Sequence, residues 1–577
     1  MRKKLSSYIW DYKHLYLAGI VSLILSVSLD MLSPLLTLSI IDDVIMGGDI
    51  QRLPYLLGGI LLVGIGRCIF QYTKEYSFDK AGCIIASDMR KDLFNYIQGL
   101  SCNFFDKNNT GELMARVKDD IDRIWNALTY VSMLIIEVVF HTAIVLFCMY
   151  RLHPLLAIIP TVGMLISAAI ALRMEHKLGS VFEAISEENA VLNTVAEENL
   201  AGVRTVKAFA REKHEIKKFL SHNERYYELN MNQSKVFVKY HPYLQLVTKL
   251  LPMLVLLAGG KLTIEGAITI GTLGAFIEYS NNIVWPMEML GWLSNDMSAA
   301  FASNRKIRKI FEQVPAITDP AEPVLLDQVQ GKIEFSHVSF RKEDMHPILS
   351  DISFVVEPGK TIGIMGATGA GKTSVVQLLQ RLYDATDGCI KLDDVDITKL
   401  SLEQLRRSIS LVMQDVFLFS DTITENVKLG KKAYVDNIKV QNASRAAQAS
   451  EFIEKMTDQY ETIIGERGVG LSGGQKQRIS IARALAKDTP ILVMDDSTSA
   501  LDMETEHAIQ NTLKELPNTT KIIIAHRISA VRHADEIIVL ENGSIAERGT
   551  HESLMALHGL YYETYVSQYG EPATLIH

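Results

Sequence analysis

Cysteine is scarce in this chain of 577 residues. The five present, Cys68, Cys83, Cys102, Cys148 and Cys389, have neither the pairing pattern of a disulfide framework nor the spacing of a metal site. Four of them fall in an apolar first half, where they read as small hydrophobes. A basic excess is also missing: the formal net charge is −9, without the electrostatic footprint of a nucleic-acid binder. No secretory signal is expected, because the apolar run after Met1-Arg-Lys-Lys4 covers residues 15–41, too long for one, and no small-x-small site closes it. Proline is sparse through two long polar connections, residues 73–127 and 173–242, so little there interrupts a helix.

What the chain has in quantity is apolar sequence. Hydrophobic residues make up 48%, a high share beside 22% charge, and the long apolar stretches end near Met297. Six runs, 15–41, 53–72, 128–150, 155–172, 243–264 and 268–293, come near the roughly 20 residues that a bilayer demands. Lys and Arg concentrate in the two long connections, for example Arg90, Lys91, Arg204 and Lys207. The positive-inside rule then places these connections and both termini in the cytoplasm. Each connection holds one segment that can turn across the end of a helical hairpin, 104–116 and 198–209, with breaks expected at Gly111 and Gly202. Such a segment either meets a soluble partner or merely closes the hairpin.

Ionisable residues inside a span cost about 2.5–3.5 kcal/mol each on insertion scales unless paired or wet. Asp30 lies in the first span, Arg67 in the second, and Glu137 and His141 sit one turn apart in the third. The sixth carries Glu278, Asn281 and Asn282 on one face, then Pro286, where a kink is expected. Two readings stand side by side. These groups line a substrate cavity for amphipathic or cationic molecules, or they hydrogen-bond between helices.

After a proline-bearing linker, 315–330, the pattern changes to that of a soluble α/β domain. The stretch Gly366-Ala367-Thr368-Gly369-Ala370-Gly371-Lys372-Thr373 follows a short apolar run and leads, through Ser374, into a helical pattern. Strand, glycine loop and helix are the setting in which backbone N–H groups cradle phosphates, Lys372 reaches the β- and γ-phosphates and Thr373 coordinates Mg²⁺. Ile491–Met494 ends in Asp495 and Asp496, the place for a Mg²⁺-organising carboxylate. Gln414 follows a strand-like run and can reach the metal or the attacking water, and His526 ends another, within reach of a γ-phosphate. Leu471-Ser472-Gly473-Gly474-Gln475 opens a helix and offers a second anion-binding terminus.

In this order and spacing, these motifs resemble the ATP-binding cassette of ABC transporters, and the whole chain resembles an exporter half-transporter. The resemblance implies a multidomain chain. An all-α transmembrane domain of six long helices would occupy residues 1–314, and an α/β P-loop cassette domain residues 331–577. ATP and Mg²⁺ are the implied cofactors. Segments 104–116 and 198–209 would be coupling helices. A second half-transporter would be needed, because each ATP is held between one subunit's phosphate loop and the other's Leu471–Gln475 equivalent. The implied setting is a bacterial plasma membrane, with lipid and an amphipathic small molecule as the remaining partners and no nucleic acid.

Two positions depart from the family. The general base after the Mg²⁺ carboxylate is normally Glu and here is Asp496, shorter by about one ångström, a misplacement that can cost about 100-fold in rate. The aromatic expected to stack on adenine, two residues after Phe340, is Lys342. An Asp at this place resembles the degenerate-site member of heterodimeric bacterial multidrug exporters. A homodimeric lipid or drug flippase with Asp496 as a slow base is the alternative, and a nucleotide-switched regulatory membrane protein is one of another class.

Overall fold

Residues 4–283, 285–342, 346–431 and 434–571 are described by the computed structural model. The chain forms two compact units, one of Met1–Gly99 with Asn108–Val314, the other of Leu100–Lys107 with Pro315–His577.

The first unit is helical. Polar connections poor in proline let membrane segments run on into them, and helices Leu53–Gln98, Pro154–Ala201 and Glu212–Ile264 have 46, 48 and 53 residues, the second continuing through Pro160 and the third through Pro242 and Pro252. At 1.5 Å per residue they are about 70–80 Å long, more than twice the roughly 30 Å hydrocarbon core of a bilayer. Among the described residues five stretches are long and apolar enough to cross a membrane: Lys13–Met46, Ile50–Gln98, Thr110–Leu152, Pro154–Ala201 and Glu212–Ile264; the expected sixth span, 268–293, contains Val284, which lies outside the described residues. Leu57, Leu61, Leu62, Ile65 and Ile69 on the second of them are exposed, an apolar surface for lipid or another helix to cover.

The kink expected at Pro286 takes the form of a break. Helix Ile270–Asn282 ends with its cap at Ile283, Val284 lies outside the described residues, and helix Trp285–Glu312 has Pro286 as its second residue. Proline has no N–H for the carbonyl four residues back, which is that of Asn282. That carbonyl lies 3.2 Å from His141 Nε2 on helix Ser132–Leu152, so the freed acceptor is satisfied from another helix. In the first connection the break falls at Asn109, just ahead of the expected Gly111. Asn109 caps helix Thr110–Ala115, its side chain accepting from Gly111 N at 2.8 Å, so Gly111 lies inside that helix. Gly202 does end Pro154–Ala201. Short helix Cys102–Lys107 precedes the break at Asn109, and short helix Val203–Ala208 follows Gly202.

The second unit holds two sheets. Strands β1 (Ile333–Phe340), β2 (Leu349–Val356), β4 (Asp387–Leu392) and β5 (Val395–Asp396) form an antiparallel sheet in the order β2-β1-β4-β5. The other sheet adds β3 (Thr361–Gly366), β6 (Ile409–Val412), β7 (Ile491–Asp495), β8 (Thr520–Ile524), β9 (Glu536–Glu541) and β10 (Ser544–Gly549), in the order β10-β9-β3-β8-β7-β6. All its pairs are parallel except β9 with β10. Parallel strands covered on both faces need continuous apolar sequence, and every residue of β7 is buried, Asp495 included. A bulge between Phe335 and Val338, with His337 at φ 49°, turns Val338 and Phe340 back to the core side.

Candidate functional site

β3 ends at Gly366, and helix Lys372–Leu379 begins after Gly371. Glycine is required at both ends of the loop. At Gly366 a Cβ would lie 2.3 Å from the carbonyl oxygen of Leu540 on β9. Gly371 has φ +96°, and a Cβ there would meet Leu349 Cδ2 at 2.5 Å and the Ile348 oxygen at 2.9 Å. Lys372 is buried, and its Nζ donates to the carbonyl oxygens of Gly366 and Ala367, both at 2.8 Å. Burial lowers the Lys372 pKa, and the nearby charges of Asp495 and Asp496 oppose that shift. Ala370 packs into the core, and Ser374 N donates to Gly371 O at 3.0 Å, closing the first helical turn. Thr368 and Gly369 form the exposed crest of the loop.

The sheet register collects the remaining groups at one edge. Asp495, last in β7, is level with Ile524 of β8, and His526 stands two residues beyond it. The Thr373 hydroxyl is close enough to the Asp495 carboxylate to favour its charged form. Burial raises the Asp495 pKa and Asp496 adds to the rise, while Thr373, Lys372 and His526 pull the other way. Lys372, Thr373, Asp495, Asp496 and His526 therefore share one electrostatic neighbourhood. Gln414 lies two residues past β6, the neighbour of β7, and its side chain is exposed with no hydrogen bond among the described residues.

Asp496 has φ +43°, a left-handed conformation that Asp tolerates better than most residues. Three contacts hold it there: its N donates to Ile524 O at 2.9 Å, and its carbonyl accepts from Ser499 Oγ at 3.0 Å and Gln477 Nε2 at 3.4 Å. The backbone that aims this carboxylate is thus fixed from β8 and from the helix that Ser472 opens.

Leu471 packs against the second apolar core, and Ser472 caps helix Gly473–Lys487. The cap is reciprocal: Gln475 N donates to Ser472 Oγ at 3.3 Å and Ser472 N to Gln475 Oε1 at 2.9 Å. Gly474 fits under Ala500, whose carbonyl oxygen would be 3.1 Å from a Cβ. Among the described residues, none of Leu471–Gln475 hydrogen-bonds to Lys372, Thr373, Asp495 or Asp496.

In the helical unit most of the expected cavity residues have partners. Arg67 pairs with Asp30, and Lys74 donates to Glu137 at 2.9 Å with its own side chain 1% exposed. His141 is engaged with the Asn282 carbonyl. Glu278 has no hydrogen-bond or ion-pair partner among the described residues, and Asn281 is exposed. Reading the sequence assigned Lys74 to a polar connection; only its contact with a residue 63 positions away marks it as buried. Lys342 pairs with Asp106 at 2.8 Å, a partner that no local pattern singles out.

Two family descriptions match the chain: ABC transporter transmembrane region over residues 16–287, and ABC transporter over residues 349–499. The chain is 36% identical over 572 residues to the ABC transporter ATP-binding protein YknU of Bacillus subtilis (strain 168), covering 98% of this chain and 97% of that protein. It is 33% identical to an ATP-dependent lipid A-core flippase of Syntrophus aciditrophicus (strain SB), across 92% of this chain and 88% of that protein. Among solved structures, a bacterial Atm1-family ABC exporter with ATP bound matches with a TM-score of 0.82 at 26% identity, covering 97% of this chain and 99% of the other.

Proposed function

The chain belongs to the ABC transporter family, and from that premise we propose that it is the degenerate-site half of a heterodimeric exporter for amphipathic drugs or lipids. As a multi-pass membrane protein with a transport ATPase cassette, it binds ATP. The observation that carries the finer reading is Asp496. It stands beside Asp495 where the base should be, on a backbone held by three hydrogen bonds and so with little freedom to advance a short carboxylate.

In this reading Lys372 and the loop N–H groups hold the phosphates. The Thr373 hydroxyl and the neighbouring Asp495 carboxylate are a hard-oxygen pair that suits Mg²⁺. When bound, Mg²⁺ neutralises charge that develops on the transferred phosphoryl group. Asp496 is the weak base, His526 contacts the γ-phosphate, and Gln414 swings in from its exposed position to orient water or metal. The cap at Ser472 presents its helix terminus outward, as a subunit does that lends this segment to a partner's ATP. The cassette and both termini lie in the bacterial cytoplasm, and Glu278 with Asn281 faces the transported molecule. The other candidates, Asp30, Glu137 and His141, hold helices together.

The test is to purify the protein from its native membrane and identify what comes with it. A similar chain with Glu at the Asp496 position, co-purifying in equal amount and carrying most of the ATPase, is expected. Energised vesicles should also move an amphipathic dye. A fast homodimer whose activity disappears with Asp496→Asn would instead make this site the working one.

A further inference from the structure

Strands β3 and β8 lead to the phosphate loop and to His526, and a cavity of about 380 Å³ opens beside their other ends. The turn into β3, the last turn of helix Met503–Lys514, the start of β8 and the turn before β9 bound it. Pockets that hold small organic ligands begin at about 300 Å³, so the volume suffices for one. Thr361 at the cavity and Gly366 at the phosphate loop stand at opposite ends of β3, about 17 Å apart at the rise of a strand. An occupant of the cavity therefore stays clear of the nucleotide's phosphates.

Leu513, Pro517, Ile523 and Ala530 give the cavity an apolar wall, but its charges do not balance. Lys360, Lys514 and Lys521 line it, and Asp535 is the one carboxylate among the described lining residues. Both Asp535 oxygens are engaged, one by Lys360 Nζ at 2.9 Å and the other by Thr361 N at 2.8 Å. Lys514 is exposed and has no hydrogen-bond or ion-pair partner among the described residues. Lys521 is only 5% exposed, and its Nζ donates to the carbonyl oxygens of Leu516 at 2.6 Å and Thr519 at 3.1 Å. An ammonium has three N–H donors, so one is left over on a group that has lost nearly all its water. Burial lowers the Lys521 pKa, against the opposing charge of Asp535. His533, also on the cavity, is held low by burial first and then by the positive charges of Lys514 and Arg532. Attraction for an anion strengthens as water is excluded, which favours the Lys521 side of the hollow.

We propose that this cavity is a binding site for a small organic anion, its acidic group held by Lys514 and Lys521 and its apolar body against Leu513 and Ile523. Such a molecule is a ligand of the cassette itself, additional to ATP. The site does not depend on whether this cassette is the slow or the fast member of a pair.

Equilibrium dialysis of the full-length protein in nanodiscs tests this, with 2-naphthoate and 2-naphthyl phosphate as probes and empty nanodiscs as the blank. A saturable site is expected for at least one of the two anions, and neutral 2-naphthylmethanol should bind at least about tenfold more weakly. Lys514→Glu, at an exposed position, should weaken the anion by about tenfold or more, and Lys514→Arg should hold it within about threefold. Lys521→Met should weaken it as Lys514→Glu does while ATP binding persists. Saturating ATP with Mg²⁺ should leave the site open; displacement of the anion by ATP would place it at the phosphate loop and overturn the proposal. So would uptake no greater than that of empty nanodiscs, equal binding of the neutral probe, or an affinity in Lys514→Glu within about twofold of the parent.

Discussion

Replacing Asp496 with Glu isolates the one substitution that sets this site apart. The methylene that Glu adds carries the carboxylate forward by about one ångström, and an error of that size is worth about 100-fold in rate. Two factors of ten are about 2.7 kcal/mol of barrier. The backbone opposes the change, because Asp496 sits at φ +43°, where an L-residue is strained by about 1–2 kcal/mol and the short polar chain of Asp relieves part of that. This strain is present in the ground state and transition state alike, so it should lower thermal stability and leave the barrier nearly untouched. The expected result is kcat for ATP hydrolysis higher by about 30–100-fold, KM little changed, and Tm a few degrees lower. Phosphate release is the assay, measured in an assembly whose partner carries Gln in place of its own base Glu so that only this site can turn over, with Lys372→Ala as the blank. If Asp496→Glu leaves kcat within about threefold while Asp496→Asn costs tenfold or more, Asp496 already reaches the water and the degenerate reading is wrong.

Other outcomes follow from single contacts. Pro286→Ala returns the N–H that Asn282 O lacks and should heal the broken helix, with substrate-stimulated ATPase falling several-fold at unchanged ATP affinity; an unaffected response would show that the break is only local. Lys74→Ala strands Glu137 and should destabilise the helical unit by about 3–5 kcal/mol, read as loss of heat-resistant protein in detergent, and the double variant Lys74→Met, Glu137→Gln should recover most of it. Lys487 has its ammonium pushed down to about 8 by burial first and Lys431 second. Its folded pKa lies below the unfolded value near 10.4, so the unfolded chain binds more protons between those values and stability should rise with pH there. Relative to Lys487→Met, the parent should gain about 1 kcal/mol from pH 7.5 to 9.5 after allowance for solvent screening; no gain would mean that the Arg406 and Ile409 carbonyls, both 2.6 Å from Nζ, keep the ammonium charged.

Much of the molecule is written in local pattern. The phosphate loop needs glycine at Gly366 and Gly371, because carbonyls stand where a Cβ would go, and that requirement is visible as spacing alone. The Ser472 cap is a three-residue relation, and β7 is a run of apolar residues closing on carboxylates. The long helices follow from hydropathy joined to proline-poor polar sequence. Even the break near Pro286 is foretold by a missing N–H, though the shift from Gly111 to Asn109 shows how a nearby capping Asn can take over the role.

The pairing of groups far apart in the chain is a different matter. Composition and spacing determined that Asp30, Glu137 and His141 lie in apolar spans. Only the packing of helices decided that Arg67, Lys74 and the Asn282 carbonyl answer them, leaving Glu278 without a partner among the described residues. Likewise sequence alone marks Lys342 as an odd residue near the phosphate loop, and only the fold brings it to Asp106, 236 positions away. The reason is physical: hydropathy, caps and turn glycines act over a few residues, whereas a charge finds its counterion wherever the chain's packing leaves one within reach.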